Sequence, residues 1–84
     1  MNLTDAIRNL YVQVDAPAWA APNLDGLVDV LRDLSWLPEG PVDVDPPLVD
    51  DVADARRLRE ALRHAAQDTA NGPRPVSFAT GEPD

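Results

Sequence analysis

Asn23-Leu24-Asp25-Gly26-Leu27-Val28-Asp29-Val30-Leu31 carries two superposed periods, and together they decide what this chain folds into. Leu24, Leu27, Val28, Leu31 and then Leu34 recur at the three-and-four spacing of one helix face. Asp25, Asp29 and Asp33 recur every fourth residue, so they form a second ridge of carboxylates beside the apolar one. Like charges four apart destabilise an isolated helix by roughly 0.2–0.5 kcal/mol per pair. An ordinary solvated face tolerates such a row, and a face that meets a basic partner uses it. Asn23 is a good N-cap, so this helix is expected to run to about Leu34.

Upstream, Thr4 is the expected N-cap of a first helix over about residues 4–14, with Asp5 in its first turn. Ile7, Leu10, Tyr11 and Val14 supply its apolar stripe. Pro17 and Pro22 bracket an alanine-rich loop that carries Trp19. Downstream, Ser35 to Gly40 reads as a turn, with Trp36 as core or turn lid. Pro41-Val42-Asp43-Val44-Asp45 alternates with the period of a strand, and its proline suits a first position or an edge. Pro46-Pro47 ends it. A third helix is expected from Leu48 or Asp50 to Asp68, with Val52, Ala55, Leu58, Leu62 and Ala65 or Ala66 on its apolar face. Asn71-Gly72-Pro73 stops that helix, Pro75 to Ala79 forms a second strand, and Gly81 to Asp84 is a frayed tail. The order is helix, helix, strand, helix, strand: one α/β domain over residues 1–80.

Composition narrows the function. An 84-residue chain buries only about 60% of its unfolded surface, and its 44% apolar content supplies a modest core. Cysteine is absent, so neither a disulfide nor a thiolate is available, in keeping with a reducing cytoplasm. No leader or membrane-length apolar run is seen, and a cytoplasmic place is expected. The formal net charge of −8 serves solubility, and it also steers basic molecules toward the chain while repelling nucleic acid.

Catalytic and metal signals are weak. His64 follows Glu60 by four residues, the spacing of a surface pair, and no second histidine exists to complete a metal shell. Ser35 and Ser77 have no neighbouring base, and no glycine-rich phosphate loop precedes a helix. The chain is therefore expected not to be an enzyme and to need no cofactor. Arg56, Arg57, Arg59 and Arg63 make the third helix locally basic. They read as a solvated face answered by the abundant aspartates, or as a surface meeting the acidic ridge of a second copy.

With these elements placed, Thr4 to Leu34 resembles the barstar family, intracellular inhibitors of a secreted bacterial ribonuclease. That family carries a proline, an aromatic, a small residue and then Asn-Leu-Asp-Ala-Leu-x-Asp-x-Leu. The run here is Pro17-Ala18-Trp19-Ala20-Ala21-Pro22-Asn23-Leu24-Asp25-Gly26-Leu27-Val28-Asp29-Val30-Leu31. The register holds without a gap back through Leu10 and Asp5, and the later strand–helix–strand order also agrees. Ala21 stands where the family has glycine, Pro22 where it has an acid, and Ala20 where it has a second aromatic. The family also opens with a strand before the first helix, expected in the middle of the sheet. Three arrangements remain open: a start upstream of Met1, a reduced sheet, or a strand from another molecule.

The resemblance implies a barstar-like fold, with three helices packed on a small parallel sheet of two or three strands. It implies an acidic helix that enters the positive cleft of a guanyl-type ribonuclease and takes the place of RNA phosphate, in a 1:1 complex. Asp29 would sit at the centre of that contact with Asp25 one turn earlier, and the backbone near Asn23 would add hydrogen bonds. Trp19 would pack over the nuclease's catalytic histidine. Asp33 continues the ridge, or is a solvated residue that pairs near Arg32 or with water, and Asp68 lies near where the family uses an acid late in its last helix. The alternatives are an immunity protein of the same fold with another basic partner, and a family member that has lost its function.

Overall fold

A computed structural model describes residues 1–78. Ala79, expected to end the second strand, and the tail expected at 81–84 lie outside the described residues. The elements are α1 (Leu3–Gln13), α2 (Leu24–Asp33), β1 (Val42–Val44), α3 (Val52–Thr69) and β2 (Val76–Phe78). This is the α/β order read from the sequence.

Each helix is started by a side chain that satisfies a backbone N–H left unpaired by the first turn. Asn23 opens α2 as expected, its Oδ1 accepting from the Gly26 N–H at 2.7 Å. Asp51 opens α3 by accepting from the Asp54 N–H at 2.9 Å. The start of α1 corrects the sequence reading: Asn2, not Thr4, is the cap, and it accepts from the Asp5 N–H at 2.8 Å. Helix α2 stops where Leu34 turns left-handed, with φ at 47°. That conformation is strained for a branched side chain, and it puts a fully buried leucine into the core. Helix α3 ends on a 2.9 Å bond from the Gly72 N–H to the Thr69 carbonyl.

The two strands run parallel in the register Val42↔Val76, Asp43↔Ser77 and Val44↔Phe78. Val44 and Val76 are buried against the helices, with Val42 and Phe78 half-buried beside them. On the opposite face the Ser77 hydroxyl donates to Asp43 across the ladder. Because β1 and β2 pair directly, no gap is left between them for the central strand expected from the resemblance. The described sheet is the two-strand arrangement. Gly40 and Val42 donate to the carbonyls of Pro73 and Pro75, both at 2.8 Å, so Pro41 between them turns its missing donor to the open side.

Side chains tie the sheet to the helices. The Gln13 amide brackets Asp45 just past β1, donating to its carbonyl at 2.8 Å and accepting from its N–H at 2.7 Å. Buried Thr69 donates to the Ala65 carbonyl at 2.7 Å and accepts from the Val76 N–H at 2.9 Å, which satisfies the outer edge of β2. Helix α2 packs against both α1 and α3, most extensively against α3. Its buried arc is rotated from the expected stripe: Val30 is 0% exposed, while Leu24 and Val28 are only half-buried. Val52 is a second correction. The spacing places it on the apolar face of α3, but as the first residue of that helix it is 72% exposed.

Candidate functional site

Burying Leu27, Val30, Leu31 and Leu34 turns the other side of α2 outward, and that side is the aspartate ridge. Asp25, Asp29 and Asp33 are all exposed. Among the described residues none of the three has an ion-pair partner. Asp25 lies in the first turn, where the helix dipole favours a carboxylate, and Asp33 lies in the last, where it does not. The one cation on α2, Arg32, points across the helix seam and meets Asp68 of α3 at 3.4 Å. Asp68 therefore sits beyond the end of the ridge and is shared with an intramolecular pair.

Trp19 stands on the loop that leads into α2 and is 62% exposed. Its ring meets Trp36 edge-on, with centroids 6.2 Å apart and planes at 86°, a geometry favoured by the ring quadrupoles. Trp36 is itself held by a 2.8 Å bond from its indole N–H to the Val14 carbonyl. Exposed carboxylates thus follow an exposed aromatic on one continuous stretch, residues 19–33. Its chemistry is that of a surface that receives guanidinium and ammonium groups beside an aromatic ring.

Two residues that sequence reasoning assigned only to the core or to the helix backbone belong to this site. The Tyr11 hydroxyl donates to the Ala21 carbonyl, ten residues along the chain. A Cβ on Gly26 would collide with that same carbonyl oxygen and would stand 3.1 Å from the Tyr11 hydroxyl. Glycine inside a helix costs up to about 1 kcal/mol relative to alanine, and this cost was the available signal that another chain segment approaches closely here.

Burial, and secondarily the charge of Asp29, push the Tyr11 phenol up to about 12. An unfolded phenol ionises near 10. Between these values the unfolded state loses its proton and the folded state keeps it, so stability falls as pH rises from 10 to 12. Urea unfolding across that window is expected to show the loss, and Tyr11→Phe to flatten it. An equal loss in the Phe variant would show that the phenol carries none of it.

The remaining candidates are accounted for locally. Glu60 pairs with Arg63 at 3.0 Å, His64 is exposed, and Arg57 pairs with Asp54 at 3.4 Å. Among the described residues no group of His, Cys, Asp or Glu is placed to hold a metal ion, and no helix is long and apolar enough to cross a membrane. A groove of about 340 Å³ lies at the ends of the strands, lined by Pro46, Leu48, Leu62 and Phe78 among others. It shares no residue with the ridge or with the Trp19 loop.

Comparison with known proteins bears on this geometry. No curated protein and no solved structure matches the chain. The model of one family, Barstar (barnase inhibitor), matches residues 1–79, a span that takes in the ridge, the Trp19 loop and both strands. With an acidic helix at the surface, an α/β fold of three helices on a parallel pair of strands, and that match over nearly its whole length, the chain belongs to the barstar family of barnase inhibitors.

Proposed function

We propose that this protein inhibits a basic, guanyl-type ribonuclease by laying α2 in the active-site cleft in a 1:1 complex. The observation that carries this reading is the unpaired ridge of Asp25, Asp29 and Asp33, whose neighbouring cation Arg32 is drawn away to Asp68. Such a cleft holds cationic groups that grip RNA phosphate. A carboxylate row on a rigid helix offers them charge-assisted hydrogen bonds without a bond that can be cleaved. Asp29 takes the central place, with Asp25 and Asn23 on the side of the helix start. Trp19 lies over the nuclease's catalytic imidazole, and Asp33 and Asp68 form the rim. The net charge of −8 steers a basic enzyme toward this face.

The test is inhibition of RNA cleavage by barnase, titrated with the purified protein. We expect activity to fall to a stoichiometric endpoint at one inhibitor per enzyme, with salt weakening the association rate. Full cleavage at a tenfold excess of inhibitor would remove barnase-like enzymes as the target and leave a different basic protein as the partner of the ridge.

A further inference from the structure

The loop that carries Trp19 is held at both ends by one residue. Where the loop leaves α1, the Ala16 N–H donates to the Tyr11 carbonyl at 2.9 Å. Where it reaches α2, the Tyr11 hydroxyl donates to the Ala21 carbonyl. That carbonyl also accepts from the Asn23 N–H at 2.9 Å, and Asn23 in turn caps α2 through the Gly26 N–H at 2.7 Å. A continuous chain of hydrogen bonds therefore runs from the last turn of α1 to the first turn of α2. The absence of a side chain at Gly26 opens the space that the Ala21 carbonyl occupies.

We propose that Tyr11 is a positioning residue for the inhibitory surface, stapling the loop so that Trp19 is presented beside the aspartate ridge; this rests on the inhibitor reading above. Tyr11 is 9% exposed, so it takes almost no part in contact itself and acts through the loop. Between its ends the loop has one further internal tie, the 3.0 Å bond from the Ala20 N–H to the Pro17 carbonyl. Without the phenol, the end nearer α2 loses its tether to α1. The second aromatic contact, Trp36, is held separately by Val14 and does not depend on the staple.

Tyr11→Phe removes only the hydroxyl and keeps the buried ring. Two measurements test the proposal on the full chain. In the free protein, the indole N–H resonance of Trp19 is expected to shift or broaden in the Phe variant, while that of Trp36, hydrogen-bonded to the Val14 carbonyl, keeps its protection from solvent exchange. With barnase as the probe, the Phe variant is expected to bind about tenfold more weakly. In a Trp19→Ala background the same change is expected to alter binding less than twofold, although it lowers unfolding stability equally in both backgrounds. A merely structural tyrosine would weaken binding by the same factor with or without Trp19, and that result overturns the proposal. An unmoved Trp19 resonance also overturns it. If the wild-type chain leaves barnase unbound while the Trp19 resonance responds as expected, the inhibitor reading fails for that enzyme and the staple stands.

Discussion

Asp29→Ala is expected to weaken capture of barnase by roughly 30-fold to several thousandfold while leaving the fold intact. Truncating one member of a desolvated charge pair at an interface costs on the order of 2–5 kcal/mol, the barnase–barstar complex being itself the worked case for such pairs; each 1.4 kcal/mol is tenfold in Kd. The size follows from what is left behind: cations of the nuclease buried against a methyl group, without water and without a counter-charge. Stability is expected to move the other way. Asp29 lies four residues from both Asp25 and Asp33, so its removal ends two like-charge contacts of roughly 0.2–0.5 kcal/mol each. Alanine is also the better helix former. The unfolding midpoint should therefore hold or rise slightly as binding is lost. Isothermal titration against barnase and urea unfolding of the free variant measure the two effects. A variant that binds as tightly as the wild type would show that the ridge is an ordinary solvated face.

What the sequence made legible was local, and what it hid was contact between segments. The Asn23 cap and the leucine stripe of α2 depend on neighbours three and four residues away, so spacing reveals them. At the start of α1, Asn2 and Thr4 are both capping residue types. Only the geometry that brings the Asn2 side chain to the Asp5 N–H decides between them. Val30 lies outside the periodic stripe because the packing of α2, mostly against α3, turns its buried arc toward Val30 and away from Leu24 and Val28. Val52 failed in the opposite sense, since periodicity continues past the point where a helix leaves the core. The direct pairing of β1 with β2 is set by how α3 returns the chain, which no residue within either short strand encodes. The candidate site divides in the same way. Asp25, Asp29, Asp33 and Trp19 are visible as a pattern, whereas Tyr11 joins them only because Gly26 lets the Ala21 carbonyl come within reach.

Leu31→Ala should show how little reserve holds that surface in place. Leu31 is 1% exposed on the side of α2 away from the aspartates, within the core that also contains Leu58 and Leu62 of α3. Truncating a buried leucine costs about 2–5 kcal/mol, part from lost transfer energy and part from the cavity that remains. A domain of 84 residues has a total stability of about 4–13 kcal/mol at 0.05–0.15 kcal/mol per residue, so one methyl-rich side chain carries a large share of it. The expected result is a melting temperature lower by roughly 10–30 °C. Leu48→Ala, at a position 89% exposed, should change it by little. A loss below about 1 kcal/mol in Leu31→Ala would mean that the α2–α3 seam collapses readily around a void. Barnase then separates scaffold from site. A ligand that binds only the folded state adds about 4 kcal/mol at a thousand times its Kd, enough to offset most of the lost packing. Leu31→Ala should therefore regain a near-normal melt in the complex, because its ridge is complete once the chain is folded. Asp29→Ala should gain far less from the same concentration of barnase, because its weaker Kd leaves that concentration a much smaller multiple of Kd.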